Sequence, residues 1–416
     1  MRLNDIYNFT QKFKFSKDQE SDRLLKNLLQ IALSVLLAVV PKKVIKNVQI
    51  TGSLATGEAT VIKSGRKLIV SDFDFVVCLT LPYYFLAIIR RIFPTISDKI
   101  TKILSNRNIS THICYTPTTS IMGVLSHFNK TSERTLIYDY EFTFNKYVLG
   151  EKKSIKKRAP SPTRLDAIQL VFTTIADYLF LDSLFDSYKE KVYWLAKRFL
   201  TLIYSVLIFE GVPSKSYVER ARNAADSLNL KKMLPNGSLQ LIKSFTEIKL
   251  TGSFDAIYEI FKTNDLKEII NVQKALLRNT IANFFYYQLF ELYEKNFSKT
   301  SNLDRIFSYS DLLELLNFYL IKNKKSLLSL IKYVCLLTSI SFLTRRTYLL
   351  KFLKSVISLK DSLRIIANYL ISLVFLSEQG LKEANSILNQ MLGKLRISAK
   401  EIKDFWKISN ELGYLL

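Results

Sequence analysis

The stretch Thr51-Gly52-Ser53-Leu54-Ala55-Thr56-Gly57-Glu58, followed after a short basic loop by Val70-Ser71-Asp72-Phe73-Asp74-Phe75-Val76-Val77, decides the fold. β-branched residues at Val44-Ile45 and from Val48 to Thr51 lead into the glycine, which predicts a strand that ends in a tight turn. The second stretch predicts another strand. Side chains alternate along extended backbone, so Asp72 and Asp74 share one face while Phe73, Phe75 and Val77 point into a core. Two carboxylates on one face offer hard oxygen ligands suited to Mg²⁺ or Mn²⁺. Gly52 lets backbone approach a phosphate with no Cβ in the way, and the Ser53 hydroxyl is a donor for a phosphate oxygen. Paired carboxylates beside a phosphate turn are what nucleotidyl transfer requires, since charge must be neutralised on both the attacking and the leaving oxygens.

Gly-Ser followed by Ser-Asp-x-Asp between apolar residues resembles the signature of the DNA polymerase β-type nucleotidyltransferase superfamily. The fuller string, Gly-Ser-Leu-Ala-Thr-Gly-Glu through Ser-Asp-Phe-Asp, is similar to a poorly characterised microbial branch associated with surface polysaccharide genes. The resemblance covers residues 44 to 150. It implies a metal-dependent enzyme that moves a nucleoside monophosphate from an NTP to an acceptor: a sugar or glycan precursor, an RNA end, a nucleotide or a protein. It also implies Asp72 and Asp74 as catalytic metal ligands and Gly52 and Ser53 as nucleotide-binding residues. The 18 residues from 54 to 71 exceed the usual interval, so a loop or hairpin must be accommodated there. Lys63, Arg66 and Lys67 in that interval are either phosphate contacts or a solvated charge run.

The superfamily places a third carboxylate on a later strand. Ile109 to Tyr115 predicts a strand, but it offers Thr111, His112 and Cys114 and no acid. Arg134 to Phe144 contains Asp139 and Glu141, two apart and therefore on one face; Glu141 or Asp139 is the candidate, with Glu141 preferred. An enzyme lacking that acid would be a weakened, nucleotide- or RNA-binding module. In the helical half, Lys191 to Arg198 and Phe209 to Arg220 resemble the helix pair that faces the cleft in relatives. Lys197 is the candidate phosphate contact there, ahead of Arg198, Tyr217 and Arg220. Tyr193 and Trp194 are read as core.

Other chemistries find no support. His112 and His127 are the only histidines, and no Ser-His-Asp arrangement or Walker-type phosphate loop is present. Cys78, Cys114 and Cys335 lack metal-ligand spacing and sit in apolar runs, which reads as buried thiols of a cytoplasmic protein.

The chain has 416 residues, 48% hydrophobic and 12% aromatic, and a formal net charge of +24. That composition is globular, and the positive field suits polyanions such as nucleotides or RNA. Leu28 to Val40 is too short to span a bilayer and is read as a helix packed on the sheet; no transmembrane segment is expected. The fold class expected is α+β, a small mixed-sheet nucleotidyltransferase domain with helices followed by a large all-α domain. The expected division is a leading segment and helix at 1–43, a catalytic domain at 44–150, a basic linker at 151–163, a cleft-lining helical domain at 164–297 and a C-terminal helical region at 298–416. Helices are expected from Pro82 to Leu104, Arg164 to Leu184, Tyr188 to Glu210, Lys215 to Leu228, Leu239 to Phe261 and Leu266 to Phe297.

Overall fold

The computed structural model describes residues 3–80, 86–119, 148–150, 162, 164–234 and 238–293. They divide between two compact units. One holds the described residues up to 167 together with 183–277, and the other holds 168–182 and 278–293. The first unit is α+β and carries two small sheets.

Its four-stranded sheet is built from β1 (Ile45–Thr51), β4 (Phe73–Leu79), β6 (Ile113–Thr119) and β7 (Val148–Gly150), in the order β6-β4-β1-β7. β1 runs antiparallel to β4 and β7, and β4 runs parallel to β6. A parallel pair needs a crossover, which α4 (Leu86–Ser105) supplies. α1 (Leu3–Gln11) and α2 (Gln19–Val39) precede the sheet. Asp18 caps α2 by accepting from Ser21 N at 2.7 Å, so this helix begins nine residues before the apolar run at Leu28.

The apolar side chains of β4 behave as their alternation predicts. Phe73, Phe75, Val77 and Leu79 are all buried. Phe75 stacks on Tyr115 of β6 at 5.0 Å, and Phe93 of α4 lies 5.8 Å from the same ring. The Tyr115 hydroxyl donates to the Ala32 carbonyl of α2 at 3.0 Å, and burial pushes its pKa up. The helices α2 and α4 therefore cover this face, and the aspartates are left for the other.

The long interval after the Gly-Ser turn contains a hairpin. α3 (Gly52–Thr56) is a single turn, and β2 (Val61–Ser64) pairs antiparallel with β3 (Lys67–Val70) around Gly65, whose φ is +59°. β5 (Ile109–Ser110) adds to β3 in parallel, completing the second, three-stranded sheet. The single strand expected from Ile109 to Tyr115 is thus two strands in two sheets. Asn108, at φ +58°, turns the chain into β5, and the Thr111 hydroxyl donates to the Ser71 carbonyl at 3.0 Å where the strands part.

The helices that follow are α5 (Arg164–Leu184), α6 (Tyr188–Phe209), α7 (Tyr217–Asp226), α8 (Leu228–Met233), α9 (Ser238–Thr251), α10 (Asp255–Phe261) and α11 (Leu266–Tyr293). The helix expected from Leu239 to Phe261 breaks at Gly252, where φ is +74° and a Cβ would lie 2.9 Å from the Val61 carbonyl oxygen. Ser227 ends α7 and caps α8 by accepting from Leu230 N at 3.0 Å, dividing the stretch after Lys215. α6 is, among the described residues, the one helix long and apolar enough to cross a membrane, and 83% of its apolar window is buried within the protein. Burial on all sides is the packing of a core helix. The basic run Lys152 to Arg158 and everything after Tyr293, including Cys335, lie outside the described residues.

Candidate functional site

Thr51 stands opposite Asp74 in the β1–β4 register, which puts the Gly-Ser turn at the end of β4 where the two aspartates lie. Contact there is close. Gly52 has φ +64°, and a Cβ on it would sit 2.6 Å from Asp74 Oδ2. No other residue type fits this turn without moving the carboxylate. The Thr51 hydroxyl also donates to the Asp74 carbonyl at 3.2 Å. Ser53 is half-buried in α3, and its carbonyl accepts from Glu58 N at 2.8 Å, closing the turn. Gly52, Ser53, Asp72 and Asp74 therefore converge as the sequence pattern requires.

Lys197 of α6 joins them. Its ammonium donates to Asp72 Oδ2, and both side chains are mostly covered, at 14% and 15% exposed. Burial pushes Asp72 upward most strongly. The Lys197 ammonium outweighs it with help from His112 and Arg198, so Asp72 is held below its ordinary pKa. Asp74 moves the other way, because burial and the neighbouring Asp72 charge raise it. Burial opposes the charge on Lys197, yet Asp72 keeps that amine above its usual value. Two carboxylates side by side thus differ sharply: one is neutralised by a lysine, and the other is left disfavoured as an anion.

In this structure the Lys197 ammonium pairs with an aspartate rather than reaching into open space as a free phosphate contact. It also lies 4.5 Å from the Trp194 ring centroid, with the Arg198 guanidinium 4.5 Å from the same ring. Tyr193 is buried, as expected, while Trp194 is only half-buried. Arg220 is 9% exposed and packs against the rings of Tyr204 and Tyr217, at 3.8 and 4.9 Å. Lys63 pairs with Glu20 at 3.2 Å, and Lys67 pairs with Glu190 at 2.8 Å.

β6 runs beside the acid pair and places Cys114 opposite Asp74. His112 precedes this strand; its carbonyl accepts from Phe73 N at 2.8 Å, and its charge favours the ionised form of both aspartates. Cys78 and Cys114 are half-buried rather than the buried thiols expected, and each lies on the sheet face opposite the Phe75–Tyr115 core. Asp139 and Glu141 lie outside the described residues. Among the described residues no group of three or more His, Cys, Asp or Glu is arranged to hold a metal ion.

The sequence did not single out two supporting residues. Glu58 is buried, and its carboxylate accepts from Tyr217 N at 3.0 Å, Val218 N at 3.3 Å and the Thr56 hydroxyl at 3.1 Å. It caps α7 from a distant part of the chain. Lys249 of α9 is 1% exposed and donates to the Glu58 carbonyl at 3.2 Å and to Ser71 Oγ at 3.0 Å. The Gly-Glu of the Gly-Ser-Leu-Ala-Thr-Gly-Glu string was the available signal for Glu58. A lone lysine in a helical run carried none for Lys249. Comparison of the chain with protein-family models, with curated proteins and with solved structures finds no match.

Proposed function

We propose that the chain is a metal-dependent nucleotidyltransferase of the DNA polymerase β type, transferring a nucleoside monophosphate from an NTP to an acceptor hydroxyl or phosphate. The observation that carries this reading is the packing of the Gly52 turn against the Asp74 carboxylate, with Asp72 two residues away on the same strand end. The donor set fits a hard divalent ion. Asp74 is half-buried beside a second carboxylate, and its raised pKa reflects a charge that a cation would relieve. Mg²⁺ or Mn²⁺ held by Asp72 and Asp74 would supply charge neutralisation on the phosphates.

The chain's own groups then divide the remaining work. Gly52 and Ser53 receive the triphosphate, Lys197 neutralises Asp72 until a cation arrives and turns to phosphate afterwards, and Glu141 is the third carboxylate. The acceptor oxygen bonds to the α-phosphorus as the bond to the β-phosphate breaks; pyrophosphate leaves and the acceptor's proton passes to water. The net charge of +24 supports a polyanionic acceptor such as RNA, met in the cytoplasm. The residues from 298 onward complete the all-α half in this reading.

A specific observation favours a second reading, a weakened nucleotide-binding module. The position on β6 opposite Asp74 is Cys114, where an acid beside the pair would have strengthened the enzyme reading. Both readings are tested by incubating the protein with each labelled NTP and cell extract, with Mg²⁺ or Mn²⁺. Transfer of label to an acceptor, lost in the Asp72→Ala, Asp74→Ala double variant, supports the enzyme. Metal-dependent binding without transfer supports the module, and activity unchanged in the double variant refutes both.

A further inference from the structure

Lys249, in the last turn of α9, is among the largest fully buried side chains of the described residues, and packing alone does not call for a cation there. Its ammonium faces neutral groups: the Glu58 carbonyl at 3.2 Å, the Ser71 hydroxyl at 3.0 Å, and the rings of Tyr217 and Tyr193 at 5.2 and 5.7 Å. Among the described residues no carboxylate forms an ion pair with it. The Glu58 carboxylate is engaged elsewhere, by Tyr217 N, Val218 N and the Thr56 hydroxyl. Burying an ammonium without a carboxylate destabilises a fold, and a methionine of similar length would fill the space without that burden. Such a group in a native chain calls for a specific explanation.

The places of its two acceptors supply one. Glu58 closes the phosphate turn, since its N–H donates to the Ser53 carbonyl at 2.8 Å. Ser71 immediately precedes Asp72 on the way into β4. Lys249 therefore bridges the segment that carries Gly52 and Ser53 to the segment that carries Asp72 and Asp74. Its root is fixed as well as its tip. The Lys249 carbonyl accepts from the Thr60 hydroxyl, and the helix ends so near β2 that a Cβ on Gly252 would lie 2.9 Å from the Val61 carbonyl oxygen. Thr60 is tied to Ser71 in turn, with Ser71 N donating to the Thr60 carbonyl at 2.9 Å and Thr60 N donating to Ser71 Oγ at 2.8 Å. A side chain held at both ends is a spacer of set length. The charges that favour ionised Asp72 are chiefly those of Lys197, His112 and Arg198, so what Lys249 adds is geometry.

Spacing of this kind matters to a two-part site and to neither part alone. A divalent cation needs the acid pair, and a triphosphate without metal needs the turn and its donors. A metal-bound triphosphate needs both at one separation, and misplacement by about 1 Å is enough to lower a reaction rate by about a hundredfold. Resting on the nucleotidyltransferase reading above, we propose that Lys249 is a positioning residue that sets the separation of the phosphate turn from the acid pair, so that both hold one metal-bound triphosphate.

Lys249→Met tests this, with Ser71→Ala as a second variant that cuts one arm of the bridge and leaves the lysine in place. Three probes are titrated at a temperature well below each protein's melting point: Mn²⁺ alone, followed by electron paramagnetic resonance; inorganic tripolyphosphate without metal; and the Mn²⁺–tripolyphosphate complex. In Lys249→Met, affinities for Mn²⁺ and for free tripolyphosphate are expected to stay within about twofold of the wild type, while affinity for the complex falls by about tenfold or more. A merely structural role would lower the melting temperature and leave all three affinities in place. Affinity for the complex within about twofold of the wild type would overturn the assignment, and so would a parallel loss for Mn²⁺ alone, which would make Lys249 a prop of the acid pair only. If Lys249→Met does not fold, Ser71→Ala decides by the same criteria. A wild type that binds none of the three probes would overturn the nucleotidyltransferase reading itself, and this inference with it.

Discussion

Gly52→Ala separates backbone strain from the function of the turn. Its φ of +64° lies in the left-handed region, where a side chain costs about 1–2 kcal/mol. The added Cβ would also sit 2.6 Å from Asp74 Oδ2, about 0.8 Å inside the 3.4 Å at which ordinary contact begins. The obstacle is the end of a side chain, so the carboxylate moves aside more cheaply than backbone would. Relief of the clash therefore adds little to the loss of stability but displaces Asp74 by several tenths of an ångström. Metal–oxygen distances tolerate only about 0.2 Å.

Gly65→Ala is the control, because Gly65 has a matching φ of +59° and nothing within 4 Å of the added atom. Both variants are expected to lose about 1–2 kcal/mol, seen as a fall of a few degrees in thermal melts. Only Gly52→Ala should lose Mn²⁺-dependent binding of a fluorescent NTP, by tenfold or more. Binding within twofold of the wild type in Gly52→Ala would refute the placement of Asp74 as a metal ligand. Equal losses in the two variants would show that the turn's strain, not the carboxylate, is what matters.

Lys197→Met leaves the Asp72 carboxylate covered without its ammonium, so stability at pH 7 should fall by about 3 kcal/mol. Because Asp72 is held below its ordinary pKa, the pair's contribution is complete above the unfolded value of about 3.9 and is lost as pH falls through the folded one; denaturant midpoints of wild type and variant should converge toward acid pH. Asp74→Asn carries the opposite sign. Its raised folded pKa means that the stabilising protonated form is present at acid pH and is lost as pH rises through that value, so the variant should match the wild type in melts near pH 4 and exceed it at pH 8.

Local pattern made part of this molecule legible. Alternation along Asp72 to Val77 located the acid face, and the long interval from 54 to 71 required a loop or hairpin, of which the structure shows the hairpin of β2 and β3. Each depends on residues close in sequence. What stayed hidden depends on distant pairing. No local signal could split Ile109 to Tyr115, because β5 and β6 are separated by their partners β3 and β4. Glu58 meets α7 across 159 residues, and Lys249 meets Ser71 across 178. Lys197 was marked by the resemblance of its helix to one that faces the cleft in relatives, but its aspartate partner, 125 residues away, was not. A lysine in a helix looks the same in sequence whether it meets solvent, phosphate or a carboxylate.

The supporting contacts explain why the lysine goes to Asp72 and not to Asp74. Ser71 Oγ accepts from Thr60 N at 2.8 Å and from Lys249 Nζ at 3.0 Å, which occupies both hydroxyl lone pairs. Its own proton therefore points to the Tyr193 hydroxyl, 3.1 Å away. The Thr60 hydroxyl donates in turn to the Lys249 carbonyl, so β2's lead-in, α9 and α6 all meet at the residue before Asp72. Tyr193 and Lys197 are four apart on α6 and share a face of that helix. One rigid face thus grips Ser71 with a hydroxyl and reaches the next residue, Asp72, with an ammonium. Asp74 lies two residues further on, against the Gly52 turn and beyond that grip. The two acids are not equivalent in such a frame: the Lys197 ammonium holds Asp72 charged, while burial and the neighbouring Asp72 charge disfavour ionisation of Asp74 against the Gly52 turn.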